Sequence, residues 1–307
     1  MNESLGIWGV PLAMLGGMIR VSTPYLFVSL GETLTEKSGR INLGLEGTLL
    51  LGAVSAYGVS YLTGSPWLGV LAAGSCGVFL GAVHAVLCSR PRVNDVAVGI
   101  AMMLFGMGLS FYVGKPLIQP EAPQLPALEL GAFSANSAVR DALRVNPLFL
   151  LGIALAFVLR FGLQNTRWGL TLRTVGESAD TARALGYSVD RVRLLATMAG
   201  GFLSGIGGSF LSLYYPGVWN EGLSSGQGLI AVALVIFARW NPIYCLYASL
   251  IYGAAGSLGP ALQAIGVEVS AHLLGALPAA LTLAIMIATS SAERKLAGAP
   301  AELGVSN

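Results

Sequence analysis

From Gly47 to Ser89 the chain runs for 43 residues without a formal charge. A helix needs about 20 predominantly apolar residues to cross the hydrocarbon core of a bilayer. The run therefore predicts two crossings, with Thr63-Gly64-Ser65-Pro66 as the turn between them. Composition agrees: 54% of the 307 residues are hydrophobic and 10% are charged, where a soluble domain carries about 25% charged residues. The 41 glycines would weaken soluble helices by about 1 kcal/mol each. In lipid the same residues let helix backbones approach closely. A soluble globular enzyme is excluded.

Further charge-free runs are Val96–Gly114, Val145–Leu159, Leu194–Asn220, Gly222–Ala238, Trp240–Val267 and Val269–Ala292. With a first span near Pro11–Leu34, interrupted by Arg20, nine segments result. The fold class is an all-α polytopic transmembrane helical bundle of about eight to ten spans. Residues 1–291 form the transmembrane domain, and 292–307 a short cytoplasmic tail, Gly/Ala/Pro-containing and expected to fray. The N-terminus lacks the basic region and cleavage site of a signal peptide.

Basic residues set the orientation. Placing Lys37/Arg40, Arg90/Arg92, Arg160–Arg193, Arg239 and Arg294/Lys295 on one side gathers 13 of the 17 there. That side is predicted to be cytoplasmic. The net charge of +2 is too small to favour nucleic acid as a partner. An outer loop at about residues 115–146 opens with Pro116, Pro120, Pro123 and Pro126, an extended or turning strap. The inner loop, at about 164–193, belongs to a polar stretch with six arginines between Arg160 and Arg193.

That inner loop punctuates a short helix of its own. Ser178 is a suitable N-cap, Asp180 sits in the first turn and Arg183 in the last, and Gly186 suits a left-handed stop. So short a helix is not stable alone in water and must pack on something, either the ends of its own spans or a partner. The small residues Ala179, Ala182 and Ala184 favour close docking against a soluble partner over a merely solvated loop. A second helix start follows, with Ser188 as cap and Asp190 in the first turn.

Catalytic chemistry has no foothold. The only Gly-Lys pair, Gly114-Lys115, precedes Pro116 and lacks the phosphate-binding pattern of a P-loop. His84 and His272 stand isolated on apolar stretches as packed residues, and Met102, Met103 and Met107 read as helix filling. Cys76, Cys88 and Cys245 have neither disulfide nor metal-ligand spacing, so no metal or cofactor is expected.

Glu46 is the one carboxylate leading into the 43 uncharged residues, and an acidic group at mid-membrane costs about 2.5–3.5 kcal/mol. Two readings stand: a packing or capping role, paired with Lys37 or Arg40, or a role with Asn42 in lining the inner path. Glu46→Gln keeps the shape and removes the charge, so it separates a coupling role from a packing one, and it is expected to retain uptake. Transporters bind their solutes where helices are interrupted by Gly or Pro. Two interruptions stand out, Gly39–Gly47 and Pro216–Gly228, with Gln227 in the second.

Three segments resemble a known family. Gly176-Glu177, Ala182-Arg183 and Gly186, followed by the Gly/Ser-rich Arg191–Gly208, look like the coupling loop of an ABC importer permease. The run Gly31–Gly47, with its Glu-Lys-Ser-Gly and Asn-Leu-Gly-Leu-Glu-Gly patterns, is similar to the nucleoside-type branch of the sugar, nucleoside and branched-chain amino acid permeases. Gly228–Pro242 is a third match, and Gln227 departs from the basic residue usual in relatives. The resemblance covers about residues 22–290.

What the resemblance implies is a permease subunit, not an enzyme, in the bacterial plasma (inner) membrane. It would carry a small neutral solute, a nucleoside first and a simple sugar second. Partners would be a second permease, homologous or identical, a cytoplasmic ABC ATPase dimer and an extracellular substrate-binding protein. ATP and Mg²⁺ would be used by the ATPase alone. Gly176, Glu177, Ala182, Arg183 and Gly186 would couple to that ATPase, and Asn42, Glu46 and Gln227 are candidates for the solute path. A stand-alone channel or secondary carrier is the alternative.

Overall fold

The computed structural model describes residues 9–264 and 298–304, with Ala280 and Ala284 as isolated positions. Eleven α-helices are present among the described residues: α1 (Gly9–Lys37), α2 (Leu45–Thr63), α3 (Pro66–Cys88), α4 (Asp95–Gly114), α5 (Ser137–Ala142), α6 (Pro147–Asn165), α7 (Arg167–Glu177), α8 (Ala179–Ala184), α9 (Val189–Leu213), α10 (Gln227–Phe237) and α11 (Pro242–Ala264). Six of them, α1, α3, α4, α6, α9 and α11, are long and apolar enough to cross a membrane. The molecule is a polytopic helical bundle. The predicted run Val269–Ala292 and His272 lie outside the described residues, Ala280 and Ala284 apart.

The turn between α2 and α3 forms where the sequence places it. Gly64 closes α2 in the left-handed region at φ 71°, and Pro66 opens α3, where its missing N–H is no loss. The Gly222–Ala238 run departs from expectation. Only Gln227–Phe237 is helical, and 11 residues rise about 16 Å, half of a hydrocarbon core. Absence of charge does not make a helix. Ser225 (φ 46°) and Gly226 (φ 82°) both take left-handed backbone and hold off the helix until Gln227.

The most deeply buried span is α9. It lies among α1, α2 and α3, and the sequence Gly200-Gly201…Gly205…Gly207-Gly208 supplies the contact surface. A Cβ at Gly201 would meet the Gly77 carbonyl of α3, one at Gly205 the Ala73 carbonyl, and one at Gly208 the Leu49 carbonyl of α2. Gly31 of α1 faces Gly200 in the same way. Backbone thus packs directly on backbone, the arrangement small residues permit in lipid. Leu26, Phe27, Leu30, Leu45, Leu49, Phe210 and Leu213 fill the core around these seams. Phe79, Leu104, Phe105, Phe157 and Phe161 point outward from α3, α4 and α6, as lipid-facing side chains do.

The proline-rich segment is a strap, as its composition predicts. Tyr57 and Ser60 of α2 donate to the carbonyls of Pro120 (2.8 Å) and Pro123 (2.7 Å), and the Leu125 amide donates to Leu213 at the end of α9 (2.8 Å). The loop also holds a short antiparallel pair, β1 (Leu128–Glu129) and β2 (Arg144–Val145), which an all-α reading does not foresee. The opposite end of the bundle collects Lys37, Arg40, Asp95, Arg173, Arg193 and Arg239.

The broken-helix junction and the docking face

The two interruptions singled out in the sequence meet. Glu46, in the first turn of α2, is buried with its carboxylate against the start of α10. Its Oε1 accepts from Ser224 Oγ (2.5 Å) and the Gly226 amide (2.9 Å), and its Oε2 from the Gly228 amide (2.6 Å). A helix N-terminus leaves amides unpaired and carries partial positive charge, so a carboxylate is the group that satisfies it. A Cβ at Gly228 would strike the Glu46 backbone, so only glycine lets α10 come this close. Glu46 is thus a cap, and pairing with Lys37 or Arg40 is not what holds it. Arg40 pairs instead with the buried Asp95 at 2.6 Å, and Lys37 donates to the Gly298 carbonyl at 2.8 Å.

Asn42 closes the first interruption. Its amide donates to Glu32 Oε1 at 2.8 Å and its Oδ1 accepts from the Gly44 amide at 2.9 Å. Glu32 and Glu36 are buried on α1 one turn apart, and the Trp240 indole donates to Glu36. Glu46 is therefore one of several buried carboxylates. The sequence marks them only by the four-residue spacing of Glu32 and Glu36, inside a segment set aside as a motif. Gln227 is the first residue of α10, and its Oε1 is buried without a partner among the described residues, as is Trp219 Nε1 in the same interruption.

The inner loop folds as its punctuation predicts. Ser178 Oγ accepts from the Thr181 amide at 3.2 Å, Asp180 pairs with Arg183 at 2.9 Å, and Gly186 takes φ 83° with the Tyr187 amide on the Ala182 carbonyl. The helix that results is the six-residue α8. An amphipathic α7 precedes it, with Leu172, Val175 and Gly176 buried. Gly176 lies so close to the Lys37 carbonyl that a Cβ there would clash.

The small-residue face points the other way from expectation. Ala179 and Ala182 are buried against Val175, Val189 and Val192 of the chain itself. Asp180, Thr181 and the run Arg183, Ala184, Leu185, Gly186, Tyr187 and Ser188 are exposed, with Leu185 63% exposed. Glu177 lies with Lys37, Arg173 and Gly298–Pro300 around a cleft of about 380 Å³. His84 is fully buried, and Cys76, Cys88 and Cys245 are free thiols. Among the described residues no group of three or more His, Cys, Asp or Glu side chains is placed to hold a metal ion.

The chain is thus a multi-pass helical bundle with a half-length helix capped by a carboxylate from another helix, and a short capped helix at its basic end. Residues 14–290 match the family described as branched-chain amino acid transport system / permease component, and the chain belongs to that family. It is 34% identical over 250 residues to a putative glucose ABC transporter permease protein of Haloferax volcanii, covering 80% of this chain and 76% of that one. It is 30% identical over 251 residues to a guanosine ABC transporter permease protein of Bacillus subtilis, covering 77% and 78%. A nucleoside ABC transporter permease protein of Lactococcus lactis is 29% identical over 266 residues, covering 80% and 81%.

Proposed function

We propose that the chain is one permease subunit of an ATP-driven importer in the bacterial plasma membrane, with its basic end in the cytoplasm. A second permease, homologous or identical, completes the path between two subunits. Two cytoplasmic ATPases grip the α8 face, and an extracellular binding protein delivers the solute. ATP hydrolysis and its Mg²⁺ stay on the ATPases. The observation that carries this reading is α8 itself. A six-residue helix, capped at both ends, holds Leu185 and Tyr187 out beside Arg183 at the basic end. Apolar side chains held out of lipid and out of the core are what a docking partner buries.

The solute is a small neutral molecule, a nucleoside first and a simple sugar second. Few charges lie along the spans, and the Glu46 carboxylate at the junction is engaged with the protein's own donors. The Asn42–Gly47 segment looks like the nucleoside-type branch, and relatives are named for guanosine, for nucleosides and for glucose. The unpartnered Gln227 Oε1 and Trp219 Nε1 are an acceptor and a donor of the kind hydroxyl and base edges engage.

The test is reconstitution of the complex in sealed vesicles with ionophores present. Uptake of labelled nucleoside or sugar that stops without ATP supports the reading. Uptake that persists without the ATPase, or collapses with an ion gradient, makes the chain a secondary carrier instead.

A further inference from the structure

The segment Gly298–Gly304 does not fray. It ends in a short 3-10 turn over Ala301–Gly304 and lies against the loop and helix ends of the basic face. Glu302 engages both oxygens there. Its Oε1 accepts from the Ala179 amide at 2.8 Å, and its Oε2 pairs with Arg193 Nη2 at 3.0 Å. Arg193 in turn donates from Nε to the Ser38 carbonyl at 3.1 Å. Ala179 opens α8, Arg193 lies near the start of α9, and Ser38 follows α1. One carboxylate joins the short helix to two spans.

The surroundings make this more than a surface contact. The Arg193 and Glu302 side chains are 11% and 22% exposed, so water and salt screen them less than an open pair. Gly39, at φ 82°, is the residue that lets Glu302 and Arg193 meet, because a Cβ there would touch both. By chain alone, α8 reaches α9 only through the turn at Leu185–Ser188, and reaches α7 only through the extended Ser178. Ala179 and Ala182 also pack on Val175, Val189 and Val192. The Glu302–Arg193 link adds a charged tie beside that apolar contact.

We propose that Glu302 is the positioning residue of the docking helix, tying α8 to Arg193 so that force applied to α8 moves α9 and α1 together. The proposal rests on the importer reading and adds the route by which the ATPase stroke enters the membrane. Glu302 touches neither solute nor nucleotide. Its effect is on how much transport each hydrolysis event delivers.

The experiment measures uptake and ATP hydrolysis on the same vesicles, using the full complex. Glu302→Ala is expected to lower solute moved per ATP by about fivefold or more, the low end of the coupling usual between two sites, with the ATPase still bound and hydrolysis retained. Glu302→Gln keeps an acceptor for the Ala179 amide but loses the charge facing Arg193, and falls between. Arg193→Glu combined with Glu302→Arg restores the ion pair without the contacts to the Ala179 amide and the Ser38 carbonyl, and recovers part of the ratio lost in either single variant. A merely structural role would lower uptake, hydrolysis and yield together and leave the ratio unchanged. A wild-type ratio in Glu302→Ala overturns the positioning role alone. Should that variant fail to insert, a wild-type ratio in Glu302→Gln overturns it equally. Loss of ATP-dependent uptake in the wild type would instead sink the importer reading.

Discussion

The Glu46 carboxylate accepts the Gly228 amide at 2.6 Å, across 182 positions of chain. With Ser224 and the Gly226 amide on its other oxygen, one side chain fixes where α10 begins. Both oxygens are used, which decides what a substitution does.

Glu46→Gln keeps the shape but replaces one acceptor with an NH₂ group. That group faces a donor, whichever way the amide is turned. The geometry therefore adds a stability cost to a substitution expected to retain uptake. We expect a loss of about 1–3 kcal/mol, the cost of one buried donor left unmet. Glu46→Ala leaves the Gly226 and Gly228 amides and the Ser224 hydroxyl without their acceptor and is harsher, at about 3 kcal/mol or more. Thermal unfolding of the purified permease ranks them. Equal midpoints for Gln and wild type would refute the two-oxygen cap.

Gly186 is open on every side, with no atom within 4 Å of a Cβ placed there, yet it sits at φ 83°. Any effect of substitution is conformational. Gly186→Val should cost about 1–2 kcal/mol or more of local stability and release the ATPase during purification. Gly186→Asn, which tolerates the left-handed region, should retain it. If both variants hold the ATPase equally well, α8 is not its docking helix.

Legibility in the sequence followed the reach of each interaction. The α8 punctuation was readable because Ser178, Asp180 and Gly186 act on neighbours within one turn. The turn at Gly64–Pro66 was readable for the same reason. Nothing local says that Glu46 caps α10, or that Glu302 reaches Ala179 and Arg193, so the tail was expected to fray. Ala179 and Ala182 turn inward, the own-span alternative of the two, because small residues suit packing against one's own chain as well as a partner. The half-length of α10 was missed because charge-free length ignores the backbone at Ser225–Gly226.

Orientation is tested by labelling with a membrane-impermeant thiol reagent. Cys88 and Cys245 are buried and Cys76 is half-buried, so replacing Cys76 by Ser leaves a low background. Ala184→Cys should label only from the cytoplasm and Ala135→Cys only from outside, as the charge asymmetry requires. Reversed labelling at either position would invert the bundle and remove α8 from reach of the ATPase.

The glycine seams predict a sharp contrast between positions. Gly205→Ala sets a methyl group against the Ala73 carbonyl, where backbone must move. A loss of about 1–3 kcal/mol follows, the usual cost of overpacking. Gly108→Ala points into open space on an exposed face of α4, so helix propensity alone makes it neutral or stabilising by about 1 kcal/mol. Melting midpoints that fall equally for both would show that the seam is not close-packed.

The same seams bear on how α9 moves. Knobs seated in holes must lift out before one helix can pass another, and each lift means a change of rotamer. Where Gly200, Gly201, Gly205 and Gly208 face the backbones of α1, α2 and α3, there is little side chain to lift. Along those strips α9 has a smooth bearing rather than a ratchet. A slide along its axis is resisted where side chains do seat: Phe202 lies against Gly74 of α3, Phe210 is buried in the core, and Ser212 donates to the Ala53 carbonyl of α2 at 2.8 Å.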